Sequence, residues 1–431
     1  FKDAYMKILH VVQGYYPAIG GTELLVQRVS EELSSIYGDE ITVFTTNCYN
    51  GEGFWKLREK RMPSGHETVN GIEVYRFPVN RYISIFFRSI QKIWYDLRLP
   101  RHDVVRTISQ GPVIKGLKTA VQNFPADIIM ASSFPLLHMH DALWGAKSSD
   151  KPIVFSGHIH MQDKWGFDRD MIVHAIQQVD HYIALTQVEK DYLINKSVPS
   201  EKITVIGAGV DIAPFKSINR EEARIRIGIP QEVPLVGFIG QIGGHKGLYT
   251  LMQAMPIVWQ QAPDAHLLIA GNKTSYASFI EREFSDLFCG QRGKIHIIYN
   301  FENNLKPVLY NALDVFVYPS GFESFGIAFL EAWSAKKPVI GCHRGAVPYV
   351  VNAGWDGLLV EYQDKYALAE AILILLRNPV WAALMGERGY EKVLYCYTWR
   401  EIATKFRAVY ELVVQNHARN LYYRGSNIRG S

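Results

Sequence analysis

The sequence has few cysteines and no long apolar run, and both absences limit what the protein can be. Its four cysteines are scattered among 431 residues, without the spacing of a zinc site or the density of a disulfide framework. No apolar run reaches the roughly 20 residues that span a bilayer. The net charge of +4 is too small to indicate nucleic-acid binding. We expect a protein of the reducing cytoplasm, in solution or on a membrane surface.

What the sequence does contain is typical of a large α/β protein. Hydrophobic residues make up 48% and charged residues 20%, and the length exceeds that of one ordinary core, so two domains are expected. Strand-like runs alternate with amphipathic stretches in both halves, which predicts two doubly wound domains. The runs are KILHVV, ITVFTT, ADIIMASS, PIVFSGH and HYIAL, then PLVGFIG, AHLLIAG, KIHIIYN, LDVFVYPS, KPVIGCH and GLLVEY. The predicted junction is VIGAGVDIAPF, 205–215, where a run ends in glycines and a proline.

The stretch YPSGFESFGIAFLEAW places two acids near one predicted helix. Glu323 lies in a loop, and Glu331 lies in an apolar helix predicted from Ile327 to Ala335. The helix N-terminus between them suits a phosphate, and a buried carboxylate needs a partner. A nucleotide sugar, with hydroxyls on both sides of a diphosphate, would satisfy both acids. The alternative is that Glu323 caps the helix while Glu331 pairs with a structural lysine or arginine.

Three further loops follow predicted strands. In YYPAIGGTE, Gly20 and Gly21 allow close approach of backbone to a ligand. In GFIGQIGGHKGLYT, Lys246 could hold a diphosphate. His158, at the end of PIVFSGH, could donate to a phosphate or a sugar hydroxyl, and His160 is an equally suitable neighbour. The alternatives are plain turn chemistry, a solvated lysine and a structural histidine.

Taken together, these segments resemble the retaining glycosyltransferases of family 4. The resemblance runs through most of the chain and is most specific in PSGFESFGIAFLEAWSAKKPVIG. It implies an α/β GT-B fold, in which two Rossmann-like doubly wound domains face each other across a cleft. The implied domains are an acceptor-binding domain at 6–208, a nucleotide-sugar-binding domain at 209–395 and a C-terminal helix at 396–418 that packs back on the first domain.

The resemblance also implies roles for residues of the site. The catalytic residues are Glu323, near the hydroxyls of the donor sugar, Lys246, on the diphosphate, and His158, on the acceptor side. Glu331 binds the ribose diol, and Gly21 approaches the donor phosphate and the acceptor. Backbone amides complete the diphosphate and sugar site, at Phe325, Gly326 and Ile327. No metal ligand and no cofactor are implied.

The chain departs from the family pattern at the donor site. Gln241 takes the place of the usual arginine, which removes one fixed positive charge from the leaving-group site. Gly207-Ala208 replaces the usual proline-asparagine, and Ser324 replaces a glycine. Diphosphate stabilisation would then depend more on Lys246 and on the helix terminus.

The expected function is retaining, metal-independent hexosyl transfer from a nucleoside diphosphate sugar, with uridine diphosphate favoured. The acceptor is expected to be a glycan or lipid-linked, in cell-surface polysaccharide or glycolipid synthesis. The base is expected to lie near the loops at Gly271 and Asn300. The alternatives are a nucleotide-sugar epimerase or hydrolase of the same fold, and a non-catalytic donor-binding homologue, which Gln241 motivates.

The segment RYISIFFRSIQKIWYDLRLPR, 81–101, predicts a basic amphipathic helix. Its apolar stripe comprises Ile83, Phe86, Phe87, Ile90, Trp94 and Leu97. Such a helix is a candidate for peripheral contact with the inner face of a membrane, which would suit a lipid-linked acceptor. The alternative is that the stripe packs on the first sheet.

A second helix is predicted near the C-terminus, in YTWREIATKFRAVYELVV. Its apolar residues are Trp399, Ile402, Phe406, Val409 and Leu412. By the resemblance, this helix crosses back to the first domain and couples the domains during closure.

Overall fold

The computed structural model describes residues 5–18, 20–291 and 293–428, with side chains through residue 423. Within these ranges the chain forms two compact units. The first unit comprises the described residues up to Gly207 and those from Ile402 onward, and the second is Ala208–Glu401. Each unit contains one sheet with its own core.

The first unit is built on a sheet whose strands are β1 (Lys7–Val12), β2 (Glu40–Thr46), β3 (Gly65–Val69), β4 (Ile72–Phe77), β5 (Ile128–Ser132), β6 (Ile153–Ser156), β7 (His181–Ala184) and β8 (Ile203–Val205). The spatial order is β3-β4-β2-β1-β5-β6-β7-β8. All neighbours are parallel except the antiparallel pair β3 and β4. Every residue of β5, β6 and β7 is buried, as expected for parallel strands covered on both faces.

Helices connect these strands. They are α1 (Gly21–Tyr37), α2 (Arg81–Asp96), α3 (His102–Gln110), α4 (Leu117–Asn123), α5 (Leu137–Ser148), α6 (Lys164–Phe167), α7 (Asp170–Gln178) and α8 (Gln187–Asn195). In α1, Leu25, Val29 and Leu33 recur at helical spacing and are buried, so this helix forms by covering the sheet.

The second unit contains a wholly parallel sheet. Its strands are β9 (Leu235–Ile239), β10 (His266–Gly271), β11 (Ile295–Tyr299), β12 (Val315–Val317), β13 (Val339–Cys342) and β14 (Gly357–Val360), in the order β11-β10-β9-β12-β13-β14. Its helices are α9 (Ala213–Lys216), α10 (Arg220–Ile227), α11 (Leu248–Gln261), α12 (Ser275–Glu283), α13 (Ser285–Gly290), α14 (Lys306–Ala312), α15 (Ile327–Ser334), α16 (Val347–Val350), α17 (Lys365–Arg377) and α18 (Pro379–Cys396).

Both sheets confirm the predicted doubly wound arrangement. In each sheet the chain first adds strands on one side of the first strand. It then returns and adds the remaining strands on the other side. The resulting switch points lie between β1 and β5 in the first unit and between β9 and β12 in the second. Loops at the carboxyl ends of strands are brought together at such points, and this is where open α/β sheets bind ligands.

The last helix, α19 (Trp399–Ile428), packs on the first unit from Ile402 onward. The Tyr410 hydroxyl lies 3.1 Å from His10 Nε2, and the Arg407 guanidinium pairs with Asp39 at 2.8 Å. The predicted apolar stripe is correct at Ile402, Phe406 and Val409, which are buried. It is wrong at Leu412, which is exposed, because the next residue, Val413, takes the inward position.

Helix α2 differs from the prediction that its apolar stripe packs on the first sheet. Ser84 is the only buried residue of the helix, while Ile83, Phe86 and Leu97 of the predicted stripe are exposed. The inward side of α2 packs on α3 and is mixed: Phe87, Ile90 and Trp94 of the stripe are half-buried there, and the Ser109 hydroxyl of α3 donates to the Gln91 side chain. The alternative that the whole stripe packs on the first sheet was therefore wrong.

No single helix in the described ranges is both long enough and apolar enough to cross a bilayer. Helices α17 and α18 pass this test only when taken together, and the chain bends by 100° between them.

Candidate functional site

An ion pair marks the switch point of the second unit. Lys246 Nζ lies 2.7 Å from Glu323 Oε1, and the two side chains are only 13% and 11% exposed. Lys246 is in the turn that follows β9, and Glu323 is in the loop that follows β12. Because β9 and β12 are neighbouring parallel strands, their carboxyl ends bring together two residues that lie 77 positions apart. Lys246 is thus not a solvated surface lysine.

The backbone holds these two loops against each other. The Gly321 amide donates to the His245 carbonyl at 2.8 Å, and the Ser320 hydroxyl donates to the same carbonyl at 3.2 Å. Gly247, with φ of 80°, passes so close to Pro319 that a Cβ would lie 2.0 Å from its carbonyl oxygen. Only glycine fits there, so the backbone next to Lys246 is held in one conformation.

Helix α15 begins between the two acids in the sequence, and no side chain caps it. Gly326 precedes the helix with φ of 100°, and a Cβ there would lie 2.7 Å from the Phe329 ring. Phe325 is buried against Tyr397, with ring centroids 5.5 Å apart. The alternative that Glu323 caps α15 was wrong, because the helix has no side-chain cap and Glu323 pairs with Lys246 instead. The uncapped first turn leaves the positive end of the helix dipole available to an anion.

Glu331 is held by two side chains of α14. Its Oε1 lies 2.7 Å from Lys306 Nζ, and its Oε2 accepts a hydrogen bond of 2.9 Å from the Tyr310 hydroxyl. Burial, followed by the nearby Glu331 carboxylate, raises the pKa of Tyr310 well above its ordinary value, so this hydroxyl stays protonated and donates. The contact with Lys306 confirms the alternative that Glu331 pairs with a lysine.

Gln241 is close to Lys246 in the chain. The expected base-binding loops follow β10 and β11, which lie on the other side of β9 from β12. Gln241 is exposed in the turn after β9. The Asn300 amide donates to the Gly271 carbonyl at 3.0 Å, which joins the loops after β10 and β11. The Asn300 side chain also accepts a hydrogen bond from the Lys273 amide at 2.9 Å. The side chain of Asn300 is therefore used in shaping its own loop.

The first unit places His158 beside the loop of Gly21. His158 is buried, with Nδ1 3.0 Å from the Thr22 hydroxyl and Nε2 3.0 Å from the Ser156 hydroxyl. Burial, and then neighbouring His160, lower the pKa of His158 to about 3, so its imidazole is neutral at physiological pH. Gly21, the first residue of α1, is exposed, and a Cβ there would meet no atom within 4 Å. A ligand can thus approach its backbone closely.

Sequence reasoning missed a buried acid next to His158. Glu189 accepts hydrogen bonds from the Ile159 amide at 2.9 Å, the Leu185 amide at 2.8 Å and the Tyr182 hydroxyl at 2.6 Å. It therefore links the loops that follow β6 and β7 and fixes the residue after His158. The spacing from Thr186 to Glu189 is that of a capping box, which signals a helix start but not these contacts.

Sequence reasoning also missed Lys306 and Tyr310. Their spacing of four residues places both on one side of α14, but nothing in the local sequence indicates that this side meets Glu331. The contact depends on how α14 and α15 pack.

No group of three or more His, Cys, Asp or Glu side chains that could hold a metal ion occurs among the described residues. The cations of the second-unit site are instead Lys246 and Lys306.

Two doubly wound α/β units in one chain are typical of the GT-B fold of glycosyltransferases, and solved structures of that fold match this chain. Family models match the chain in two adjacent regions. The model described as "Glycosyl transferases group 1" matches residues 219–392, and "Glycosyltransferase Family 4" matches 111–213. Both matched regions of the chain are thus similar to glycosyltransferase families.

Individual relatives agree with this assignment. The chain is 26% identical to a D-inositol 3-phosphate glycosyltransferase of Corynebacterium glutamicum (strain R), over 56% of the chain and 59% of the relative. It is 27% identical to the capsular polysaccharide biosynthesis glycosyltransferase CapM of Staphylococcus aureus, over 52% of the chain and 60% of the relative. The matched region thus spans less than two thirds of each relative.

A solved structure shows the same fold across nearly the whole chain. The Anabaena protein HepE, in complex with UDP and glucose, matches with a TM-score of 0.68 and 18% identity, covering 94% of this chain and 99% of that one.

Proposed function

We propose that the protein is a retaining glycosyltransferase, which moves a sugar from a nucleoside diphosphate sugar to a glycan or lipid-linked acceptor in cell-surface polysaccharide or glycolipid synthesis. The observation that carries the proposal is the largely, but not fully, buried pair of Lys246 and Glu323 at the β9–β12 switch point, next in sequence to an uncapped helix N-terminus. Relatives in capsule and inositol-phosphate glycosylation support the transfer class. The UDP complex of HepE supports a uridine nucleotide.

In this proposal each element of the second-unit site contacts one part of the donor. Lys246 and the amides of 325–327 bind the diphosphate, Glu323 accepts from hydroxyls of the sugar, and Glu331 accepts from the ribose diol. The contact between Lys246 and Glu323 means that the lysine charge is already partly neutralised before donor binds. An incoming diphosphate oxygen must therefore share Lys246 with Glu323.

The chemistry proposed for the site is attack by an acceptor hydroxyl on the face from which the diphosphate departs. The bond from the anomeric carbon to the diphosphate oxygen breaks, and the acceptor proton passes to the departing phosphate. The protein then has to hold the two substrates in register and stabilise the charge on the leaving group. Lys246 and the α15 N-terminus supply that positive charge, so the proposal requires no divalent metal and no cofactor.

His158 is proposed to act on the acceptor side as a neutral group. Its two ring nitrogens are each within 3.0 Å of a hydroxyl, those of Thr22 and Ser156. A neutral imidazole donates from one nitrogen and accepts at the other, and both are in use here. An acceptor hydroxyl would therefore replace Thr22 or Ser156 at one nitrogen, and would be oriented there without an added charge.

The proposed location is the cytoplasm, with the protein peripheral on the inner face of the membrane. A lipid-linked acceptor would require such a location, and the exposed helix α2 in the first unit supports it.

The proposal is tested by incubating the protein with uridine, guanosine and adenosine diphosphate sugars without acceptor, and measuring both nucleotide release and nucleotide binding. Wild type is compared with Glu331→Ala and with Glu370→Ala, a control at an exposed helical glutamate of α17. We expect slow release from one donor, retained by the control and lost with Glu331→Ala.

Other outcomes would favour other functions. Conversion of the donor to an epimer, or donor hydrolysis that no candidate acceptor diverts into a glycoside, would indicate an epimerase or a hydrolase. Binding without release, even after acceptors are added, would indicate a non-catalytic donor-binding protein, and Gln241 would be the next residue to change.

A further inference from the structure

Helix α2 presents its apolar side outward. Tyr82, Phe86, Ile93 and Leu97 are separated by four, seven and four residues, a spacing that places them along one side of a helix. Their exposed fractions are 74%, 60%, 62% and 64%. We call these four residues the α2 face. Leu57, 55% exposed, lies near the start of α2, because the Arg81 guanidinium donates to the carbonyls of Leu57 and Glu59.

Burial and contacts on other sides of α2 fix this orientation. Ser84 is fully buried, and Gln91 accepts from the Ser109 hydroxyl of α3. The Arg88 guanidinium lies over the Trp55 ring, 4.0 Å from its centroid. A helix that folds only to cover a core would bury its apolar side instead, so the outward face needs a partner of its own.

The surroundings of the α2 face are basic. Segments 56–61 and 81–101 together contain nine basic and two acidic residues, an excess larger than the net charge of +4 of the whole chain. The exposed basic residues are Lys56, Arg58, Lys60, Arg88, Lys92, Arg98 and Arg101. This charge would be repelled by a second copy of the same surface, and it complements an anionic one.

We infer that the α2 face inserts into the headgroup region of an anionic bilayer, with the basic residues of 56–60 and 88–101 contacting lipid phosphates. A convex helix side with aliphatic and aromatic residues suits a planar lipid interface, in which apolar side chains enter the acyl boundary and cations stay with the headgroups. The inference rests on the proposed function in one respect: it names the surface through which the enzyme would reach a lipid-linked acceptor.

The first test is sedimentation of the full chain with vesicles of phosphatidylcholine alone and of phosphatidylcholine mixed with phosphatidylglycerol. We expect binding to the mixed vesicles that weakens at least tenfold as salt rises from about 0.05 to about 0.5 M, because salt screens charge interactions at a surface. The double variant Phe86→Ser and Ile93→Ser should weaken binding at least tenfold. The control variant Ile225→Ser and Val380→Ser removes two exposed apolar side chains of the second unit and should bind as wild type does.

A second measurement guards against a folding defect. Ser89 is exposed on α2, and a fluorophore attached through Ser89→Cys, in a background with Cys289→Ser and Cys396→Ser, reports the environment of that side directly. We expect a blue shift with mixed vesicles that brominated lipids quench.

Two results would overturn the inference. One is vesicle binding that is absent, or that is equal in wild type and in the α2 variant. The other is a concentration-dependent dimer that the α2 variant abolishes, which would make the face a contact between copies of the chain. Neither result depends on donor turnover, which is measured without vesicles and should be the same in the α2 variant as in wild type. If the wild-type protein shows no donor turnover, that result would count against the proposed function and not against membrane binding.

Discussion

The candidate sites of the two units use different chemistry. In the second unit, Lys246 pairs with Glu323 and Lys306 pairs with Glu331, so the site is made of opposite charges in direct contact. In the first unit, His158 is neutral and contacts hydroxyls. The difference suits a donor that carries phosphate charge and an acceptor that offers hydroxyls. It also shows that one sheet topology fixes where a site forms, while the loop residues decide its charge.

The largest expected effect comes from removing the cation of the second unit. Lys246→Met should lower donor turnover by about 10²- to 10³-fold, the usual range when one preorganised group that stabilises developing charge is lost. Nucleotide release gives the rate. Lys365→Met, on the helix surface of α17, serves as the control. Because the substitution leaves Glu323 unpaired, the double variant with Glu323→Gln should restore thermal stability but not turnover. Restored turnover would show that the charge of Lys246 is not needed.

The next effect tests what Glu331 contacts. Wild type should bind UDP more tightly than 2′,3′-dideoxy-UDP by about 1–3 kcal/mol, the usual cost of leaving a buried acceptor without its donor. Glu331→Gln should lose most of this preference, and Lys306→Met should lose part of it, because Lys306 then no longer holds the carboxylate in place. Calorimetric titration of the two nucleotides measures the difference. An undiminished preference in Glu331→Gln would assign Glu331 a purely structural role.

A smaller effect concerns the pH dependence of stability, which can be measured separately in the two units. Burial lowers the pKa of His10 and His158 to about 3 and of His138 to about 4. These values lie below the value of about 6.5 for an unfolded chain, so between roughly pH 4 and 6.5 the unfolded state binds more protons. The contribution of these three histidines to the stability of the first unit should therefore fall as pH falls through that window, by up to about 1.4 kcal/mol per pH unit for each histidine.

Amide hydrogen exchange followed separately in α1 and α11 measures this pH dependence in each unit. His158→Gln should reduce the pH dependence in the first unit by the contribution of one histidine and leave the second unit unchanged. An unchanged slope in α1 would mean that His158 does not titrate in this way.

The smallest effect concerns Gln241. Because Gln241 is exposed, a charge placed there is screened by water, and Gln241→Arg should strengthen UDP binding by about 1 kcal/mol or less. The gain should shrink as salt rises. Gln415→Arg, an exposed position of α19, adds the same charge away from the site and should have no effect. A large loss of binding would show that the glutamine is required in this chain.

The strand and helix pattern was determined by local sequence. Runs such as PLVGFIG and AHLLIAG became β9 and β10, and the helix predicted from Ile327 formed at that residue. Such elements depend on side-chain periodicity and on glycine and proline positions, which neighbouring residues in the sequence carry. The ordered motifs also indicated which loops hold the site, because those loops follow strands.

The tertiary structure alone decided which side chains meet and which sides of helices face outward. Lys246 reaches Glu323 because β9 and β12 are neighbours in the sheet, and Glu331 is held by Lys306 and Tyr310 because α14 packs against α15. The periodicity of α2 identified its apolar residues, but burial of Ser84 and the contact of Gln91 with α3 left Phe86, Ile93 and Leu97 facing outward. Periodicity shows that a helix has two sides; the direction each side faces depends on contacts between residues far apart in the chain.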